Sequence, residues 1–467
     1  MARFSEKVGY GLGDMSSSMF WKVFSYYLPF FYSNIFGLSL VDAGVLVLVT
    51  RIWDAVSDPM MGVIADRTHS RWGKYRPYLL FVAPLFSIAG ILLFTTPDWG
   101  YGAKLTYAYV TYILMMTVYT AINVPYGAML GVMTDDSQEK TVFSSFRMIF
   151  AYGGSFIALA AWEPLVNFFK GESSVATAWQ YAMMVIAAAC LVLFILTFLL
   201  TRERLKTVST VSIGKDFRAL LSNRPWWLLI GAALCFNLFC TVRGATVAYY
   251  FADIIGFDKV LTFSAGHSTF SILFYAGLFL SVGEACNMLG AVCTVPLSRR
   301  LGKKSLFMAV GASLFVLSVL FFFIPVSPGG FWLMLLFQVF ISILTGIMSP
   351  LVWSMYADVS DYAELRYHSA STGLIFSSSS MAQKFGGAIG GAAVLWLLSA
   401  CDYIPRTDEQ MAAEAVLSQP ASALLCLRLL MSFIPAAVAV ISIIVCHYYP
   451  LTTRRVDEIN AELKLQR

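Results

Sequence analysis

Apolar segments long enough to cross a lipid bilayer recur along the whole chain, and they constrain its fold more than any other feature. A transmembrane helix needs about 20 mostly apolar residues. Because lipid offers the backbone no hydrogen-bond partners, each segment must form a helix that satisfies its own N–H and C=O groups. The sequence therefore predicts an all-α membrane protein with 12 transmembrane helices. The predicted spans are 10–36, 41–65, 78–96, 105–132, 142–168, 176–201, 225–255, 268–297, 305–325, 331–356, 371–400 and 422–449.

The composition agrees with this class and argues against several others. Of the 467 residues, 58% are hydrophobic and 13% are charged, whereas a soluble domain usually carries about 25% charged residues. The net charge of +5 does not indicate nucleic-acid binding, because the basic residues lie in short, separate loops. The eight Cys include no CxxC pair and the four His lie near predicted loops or helix ends. We therefore expect no metal site, no cofactor and no enzymatic activity.

Two sets of six predicted helices flank the longest internal polar segment. We expect an N-terminal six-helix bundle over 1–201, a central loop over 202–224, a C-terminal bundle over 225–449 and a tail over 450–467. Short sequences repeat at corresponding places in the two halves. They are Arg71-Trp-Gly-Lys74 with Arg300-Leu-Gly-Lys303, and Asn34-Ile-Phe-Gly37 with Asp253-Ile-Ile-Gly256. Two six-helix halves with matching loops are typical of the major facilitator architecture. The alternative for the Gly-Lys pairs is ordinary helix capping.

Positive charges in the loops predict the orientation in the membrane. Cytoplasmic loops are enriched in Lys and Arg. With the N-terminus inside, 22 of these residues lie on the inner side and four on the outer side: Lys104, Lys170, Lys259 and Arg406. Both termini are therefore expected in the cytoplasm.

The second predicted helix carries three charged residues on one face. Arg51, Asp54 and Asp58 stand at i, i+3 and i+7. Two carboxylates one turn apart cannot both ionise at low cost in a low dielectric, so a bound proton or metal cation is expected. Ser57, and Thr120 on the fourth helix, would complete an oxygen ligand set. The alternative is a structural ion pair between Arg51 and Asp54.

Further polar residues at membrane depth suggest a sugar site. Charges there are costly and usually mark function. Arg147 and Lys384 are donors with no acid nearby in the same helix, and sugars present many hydroxyl acceptors. Asp14, Lys22 and Arg428 could instead snorkel from helix ends. Packing is the alternative for the aromatic residues and for the helix that Pro125 breaks. The substrate-binding candidates are Tyr26, Asn123, Gly127, Arg147, Arg243, Trp353 and Lys384.

Charged residues near the expected cytoplasmic side are candidates for gates. They follow the second helix and the tenth helix, in matching positions of the two halves. Ion pairs between the halves would hold the inner side closed. The gating candidates are Asp66, Arg71, Lys74, Asp358, Asp361 and Glu364.

These motifs together resemble the glycoside–pentoside–hexuronide:cation symporter family of the major facilitator superfamily. The resemblance covers nearly the whole chain. It implies that the coupling cation binds Asp54 and Asp58 with Ser57 and Thr120, and that Arg147 and Lys384 face the sugar. The matching motifs are Tyr10-Gly-Leu-Gly-Asp14, Arg51-Ile-Trp-Asp-Ala-Val-Ser-Asp-Pro-Met-Met-Gly62, Asp66-Arg-Thr-His-Ser-Arg-Trp-Gly-Lys-Tyr-Arg-Pro77, Asn123-Val-Pro-Tyr-Gly127, Asp358-Val-Ser-Asp-Tyr-Ala-Glu364 and Lys384-Phe-Gly-Gly387.

The chain departs from the melibiose permease of that family at four positions. Ser18 and Asn123 stand where the permease has sugar-binding aspartates, and Gly127 stands where it has a tryptophan. These changes argue against a galactoside. The resemblance is closer to the pentoside and xyloside members, with Val242-Arg243-Gly244 on the seventh helix. Ser57 replaces an asparagine, whose amide oxygen is a better Na⁺ ligand, so H⁺ is slightly favoured and Na⁺ stays open.

The sequence thus predicts a multi-pass plasma-membrane protein that imports a sugar or glycoside together with a cation. We expect a monomer that contacts the lipid bilayer, its substrate and its coupling cation, but no nucleic acid. A facilitated uniporter or an efflux permease of the same fold is the alternative. A membrane sensor is the alternative from a different class.

Overall fold

The computed structural model describes residues 3–68, 70–134, 137–170, 174–204, 220–255, 259–265, 268–274, 276–367, 372–406 and 418–466. Nearly all of the described residues are helical. The helices are α1 (Phe4–Phe30), α2 (Leu40–Arg67), α3 (Arg76–Leu93), α4 (Tyr101–Met133), α5 (Ser137–Lys170), α6 (Val175–Leu200), α7 (Arg224–Tyr250), α8 (Ala276–Leu301), α9 (Lys303–Phe322), α10 (Pro328–Tyr367), α11 (Thr372–Ala400), α12 (Ala421–Met431), α13 (Phe433–His447) and α14 (Thr453–Gln466).

The predicted helical membrane architecture is confirmed. Among the described residues, ten helical spans are long and apolar enough to cross a membrane. Helix α1 is not among these ten, because polar residues that include Asp14 and Lys22 lower its mean hydropathy. The total of 12 membrane spans and the cytoplasmic position of both termini stay predictions.

Several predicted boundaries are wrong. The eighth span does not begin at 268, because β1 (Lys259–Ala265) and β2 (Ser268–Phe274) form an antiparallel hairpin before α8. The tenth span does not end at 356, since α10 continues to Tyr367 and carries the Asp-x-x-Asp-Tyr-x-Glu motif on a helix rather than in a loop. The boundary of the tail predicted over 450–467 stays a prediction, and α14 lies within this tail.

The last predicted span, 422–449, is broken at Ser432 into α12 and α13. Pro435 has no backbone N–H, so it cannot bond the carbonyl group of Met431 one turn earlier. The guanidinium group of Arg243 on α7 donates to this carbonyl oxygen and also to Gln338 Oε1, at 3.1 Å. Arg243 therefore stabilises the break by satisfying a backbone group that the helix leaves unpaired.

The sequence repeats correspond to repeated local conformations. Five-residue π-helical turns, Phe31–Ile35 and Phe251–Ile255, extend α1 and α7 in the same way. In the other repeat, Gly73 has φ +115° and Gly302 has φ +80°, a region that favours glycine. The paired motifs therefore encode the same backbone features, which supports an internal repeat.

A carboxylate at the end of α6 fixes the Arg71-Trp-Gly-Lys74 loop. Glu203 accepts hydrogen bonds from the backbone N–H groups of Lys74, Tyr75 and Arg76, at 2.7, 2.7 and 2.8 Å. These groups lie at the N-terminus of α3, where a negative charge is favourable. A Cβ atom at Gly73 would lie 2.6 Å from the carboxyl carbon of Glu203. The loop thus requires glycine both for its φ angle and for space.

The chain forms two compact units. Unit one comprises Met1–Ser209, Ala245–Ala285 and Gly391–Cys426, and unit two comprises Thr210–Gly244, Cys286–Gly390 and Leu427–Arg467. In unit one, α1 packs on α5 and α6, and α4 packs on α2 and α3. In unit two, α9 packs on α10 and α13, and α14 packs on α10. The predicted division into bundles at 202–224 stays a prediction.

The π-helical ends of α1 and α7 are joined within unit one. The backbone N–H of Arg406 donates to Asn34 Oδ1 at 2.9 Å, and its guanidinium group pairs with Asp253 at 2.9 Å. The Ser33 and Tyr249 hydroxyl groups lie 2.7 Å apart. Arg406, expected as a loop charge, is therefore buried in an ion pair.

Gly73→Ala is expected to lower the stability of the protein. The substitution forces an L-residue into positive φ and pushes a methyl group against Glu203, which together cost about 1–3 kcal/mol. The check is the apparent Tm in detergent. Gly102→Ala is the matched control, since in the described part of the chain no atom lies within 4 Å of its Cβ position on α4. Equal Tm values for the two variants would contradict the role given to Gly73.

Candidate functional site

The four predicted cation ligands lie in one cluster between α2 and α4. The hydroxyl oxygen of Thr120 lies 3.2 Å from Asp54 Oδ1 and 2.9 Å from Asp58 Oδ1. Ser57 Oγ donates to the carbonyl oxygen of Asp54 at 3.0 Å and lies 3.4 Å from Thr120 Oγ1. A hydroxyl group has one proton, so Thr120 can donate to only one carboxylate at a time. A cation could bind to several of these oxygen atoms at once, or a proton could bind to one of the two carboxylates.

This cluster is largely removed from solvent. Asp54 is 0% exposed and Thr120 is 2% exposed, while Asp58 is half-buried. Arg51 is also buried, and its guanidinium carbon lies 4.4 Å from the Trp21 ring centroid. With both acids ionised, Arg51, Asp54 and Asp58 carry a formal charge of −1. One monovalent cation or one proton neutralises this charge. The net charge of the site therefore matches a single coupling ion.

The next turn of α4 connects the cluster to α1. Ser17 Oγ donates to Asn123 Oδ1 at 2.7 Å, and Asn123 Nδ2 donates to the carbonyl oxygen of Tyr119 at 3.1 Å. Thr120 and Asn123 are one turn apart and share a face. Gly127 is exposed, and no atom of the described residues lies within 4 Å of its Cβ position. Packing therefore does not require glycine at this position.

The hypothesis that Arg147 is an unpaired donor is wrong. Its Nε donates to Asp14 Oδ2 on α1 at 2.9 Å, and its guanidinium carbon lies 5.5 Å from the Tyr126 ring centroid. Asp14 therefore pairs with a cation rather than snorkelling from a helix end. The sequence places the two residues 133 positions apart, so only their charge at membrane depth could have suggested the pair.

A second ion pair in unit one was missed by the sequence analysis. Lys22 Nζ on α1 lies 2.5 Å from Glu284 Oε1 on α8. The Tyr26 hydroxyl group lies 3.3 Å from both atoms, so this candidate sugar-stacking residue also takes part in a polar network. Lys22 does not snorkel, since its ammonium group is paired within the protein.

The chain is similar to known transport proteins over nearly its whole length. A family model described as MFS/sugar transport protein matches residues 9–453. The chain belongs to this family. Its relatives include the inner membrane symporter YicJ of Escherichia coli, 32% identical over 98% of this chain and 94% of the relative. The putative glycoside/cation symporter YagG of Escherichia coli is 33% identical with the same coverage.

Another relative of this MFS/sugar transport protein is the isoprimeverose transporter of Lactiplantibacillus pentosus. It is 32% identical over 86% of this chain and 82% of the relative. Among solved structures, a bacterial homologue of the human drug peptide transporters PepT1 and PepT2 has a TM-score of 0.70 at 14% identity. The match covers 98% of this chain and 100% of that chain, and it supports the major facilitator fold.

In this MFS/sugar transport protein, three substrate candidates lie in unit two. Lys384 on α11 is half-buried, and so is Trp353 on α10, whose ring centroid lies 5.8 Å from that of Tyr356. Arg243 is 5% exposed and bonds Met431 and Gln338 as described above. Those contacts give Arg243 a structural role. The assignment of all three to sugar binding stays a prediction.

The gating candidates have partners that the sequence did not suggest. Both carboxylate oxygens of Asp358 accept from Lys303 Nζ at 2.7 Å. Lys303 belongs to the same predicted half, so this ion pair is not the expected pair between halves. The guanidinium carbon of Arg71 lies 4.1 Å from the Trp72 ring centroid. The Asp66 side chain lies outside what the structure describes, and Lys74, Asp361 and Glu364 stay candidates.

Thr120→Val is expected to weaken cation binding, because it removes the hydroxyl oxygen that contacts both carboxylates. A hydrogen bond to a charged group contributes about 1.5–3 kcal/mol, so the half-saturating cation concentration should rise about tenfold or more. The check is the apparent Tm of purified protein titrated with Na⁺ and, separately, with pH. Thr120→Ser keeps the hydroxyl group and should behave like the wild type.

Thr106→Val is the matched control for this prediction. It makes the same chemical change on α4, where Thr106 donates to the carbonyl oxygen of Gly102 in its own helix and, among the described residues, to no other helix. If Thr120→Val and Thr106→Val respond identically to both ions, the cluster is not the cation site.

Proposed function

We propose that this chain is a secondary active transporter that imports a sugar or glycoside by symport with one monovalent cation. The observation that carries the proposal is the oxygen cluster of Asp54, Ser57, Asp58 and Thr120, placed one turn from Asn123 on α4. The family assignment and the names of the relatives support transport of glycosides. The relative that carries isoprimeverose favours a substrate that contains a pentose.

Of the two coupling ions, we favour H⁺. The formal charge of −1 across Arg51, Asp54 and Asp58 is neutralised by one proton, and a carboxyl group binds a proton without further ligands. Na⁺ needs several oxygen ligands. Ser57 offers a hydroxyl oxygen where the family resemblance places an amide oxygen, which weakens such a site. Na⁺ remains the second candidate.

The adjacency of Thr120 and Asn123 provides a physical basis for coupling. If cation binding orders the face of α4 that also contacts the sugar, each ligand raises the affinity for the other by the same factor. One positive charge that enters with a neutral sugar gains about 2.3 kcal/mol per 100 mV of membrane potential. Since about 1.4 kcal/mol corresponds to a factor of ten, the potential alone can sustain roughly a 40-fold gradient.

The protein is a multi-pass membrane protein, and the proposal places both termini in the cytoplasm. The Glu203-capped loop and the Lys303–Asp358 pair then lie on the cytoplasmic side. In this proposal they stabilise the inner ends of the helices during the transport cycle, and neutralising them changes turnover more than sugar affinity. The transporter acts as a monomer and needs no cofactor besides its coupling ion.

Asp58→Asn and Asp54→Asn are expected to abolish concentrative uptake while sugar exchange persists. The reason is that an amide cannot carry the coupling charge, although the fold and the sugar contacts remain. The measurement uses membrane vesicles with an imposed pH or Na⁺ gradient. The labelled sugar is the member of a glycoside panel that most raises the Tm of the purified protein.

Asp98→Asn is the control variant, since Asp98 is an exposed acid in the loop between α3 and α4. It should accumulate sugar like the wild type. Normal accumulation by either cluster variant would refute the assignment of the coupling site. Equilibration by the wild type without accumulation would instead indicate a uniporter.

A further inference from the structure

The ion pair between α1 and α8 lies at membrane depth. Lys22 is about three turns or more from either end of the segment 4–35, and Glu284 is about 12 Å beyond the start of α8. The Glu284 side chain is 2% exposed. Desolvating two charges is expensive, and replacing a buried pair by apolar residues is often neutral or stabilising. Fold stability alone therefore does not explain this pair.

One face of α8 holds Glu284 in a fixed position. Gly277, Ser281 and Glu284 stand at i, i+4 and i+7, so they share that face. A Cβ atom at Gly277 would collide with the carbonyl oxygen of Leu159 on α5. Ser281 Oγ donates to the carbonyl oxygen of Phe156 at 3.1 Å. Helix α8 therefore packs directly against α5, and this packing presents the carboxylate of Glu284 to α1.

The two members of the pair differ in exposure. The Lys22 side chain is 24% exposed, compared with 2% for Glu284. An ammonium group has three N–H donors. Within the described part of the chain, those of Lys22 reach Glu284 and Tyr26, which leaves one donor for a ligand. Charged groups in membrane segments face the bundle interior or a water-filled cavity rather than lipid. The exposed part of Lys22 is thus accessible to a polar substrate.

We infer that Lys22 is a further substrate-binding residue, which donates a hydrogen bond to a sugar hydroxyl group, and that Glu284 positions and neutralises it. The inference rests on the proposed sugar transport. Tyr26 contacts both charged groups at 3.3 Å and so fixes the direction in which the ammonium group points.

The pairing selects the chemical class of the substrate. The charge of Lys22 is already compensated by Glu284, and that of Arg147 by Asp14. A uronide would bring its own carboxylate close to these acids, where like charges repel. A neutral glycoside offers hydroxyl groups and meets no such repulsion. The site is therefore specific for neutral glycosides over the corresponding uronides.

The test compares ligands that differ only at C6, the exocyclic carbon of the sugar. The probes are p-nitrophenyl glucosides and galactosides, in both anomers, and the corresponding p-nitrophenyl uronides. Their dissociation constants are measured by calorimetry on the full-length protein in nanodiscs. Wild-type protein should bind the neutral member of a pair about tenfold or more tightly than the uronide.

Glu284→Gln should move this ratio about tenfold towards the uronide, because it frees the charge of Lys22. Glu163→Gln is the matched control. Glu163 is also a carboxylate of unit one that contacts α8, through the N–H of Gly277 at 3.2 Å, but it has no part in the pair. Its ratio should equal that of the wild type.

If Glu284→Gln does not fold, the double variant Lys22→Gln/Glu284→Gln decides, since it buries no charge. It should bind the neutral glycoside about tenfold more weakly, with no gain for the uronide. Any one of three results would overturn the inference without affecting the proposed function. The double variant could bind the neutral glycoside as tightly as the wild type, Glu284→Gln could keep the wild-type ratio of dissociation constants, or the wild-type protein could itself bind uronides more tightly than neutral glycosides. Wild-type protein that binds no member of any pair, and no p-nitrophenyl xyloside or arabinoside either, would contradict the proposed function itself.

Discussion

The structure depends on the cost of holding two carboxylates one turn apart inside the membrane. Asp54 and Asp58 on α2 both contact the hydroxyl oxygen of Thr120 on α4, and Arg51 on the same face of α2 contributes one positive charge nearby. The remaining negative charge requires a cation or a proton. Because Asn123 is one turn further along α4, this requirement links ion binding to the helix face proposed for the sugar. Active transport follows from that link in our account.

Four other charges at membrane depth in unit one are compensated by direct pairing between distant segments. Asp14 pairs with Arg147, and Lys22 pairs with Glu284. Each pair is neutral, so these four residues add no net charge to that of the acids on α2. A neutral substrate and a single coupling cation are therefore mutually consistent. The coupling ion carries the transported charge, and the hydroxyl groups of the sugar form the hydrogen bonds to the protein.

Local spacing explains why much of the site could be predicted from sequence. The positions of Asp54, Ser57 and Asp58 on α2 follow from helical periodicity, and the lengths of the apolar segments located most helices within a few residues. The pairs made by Arg147 and Lys22 could not be predicted, because their partners lie more than one hundred residues away. The break between α12 and α13 was also missed, because Pro435 alone does not predict it and the contact from α7 that stabilises it is tertiary.

The most direct test of the central claim is the affinity of purified protein for one neutral glycoside, measured by calorimetry across pH with Na⁺ present and absent. The account predicts that affinity rises about tenfold with the coupling ion, either as pH falls or as Na⁺ is added. It also predicts that Asp58→Asn removes this dependence while the glycoside still binds. An affinity that ignores both ions would contradict symport and would identify the protein as a uniporter.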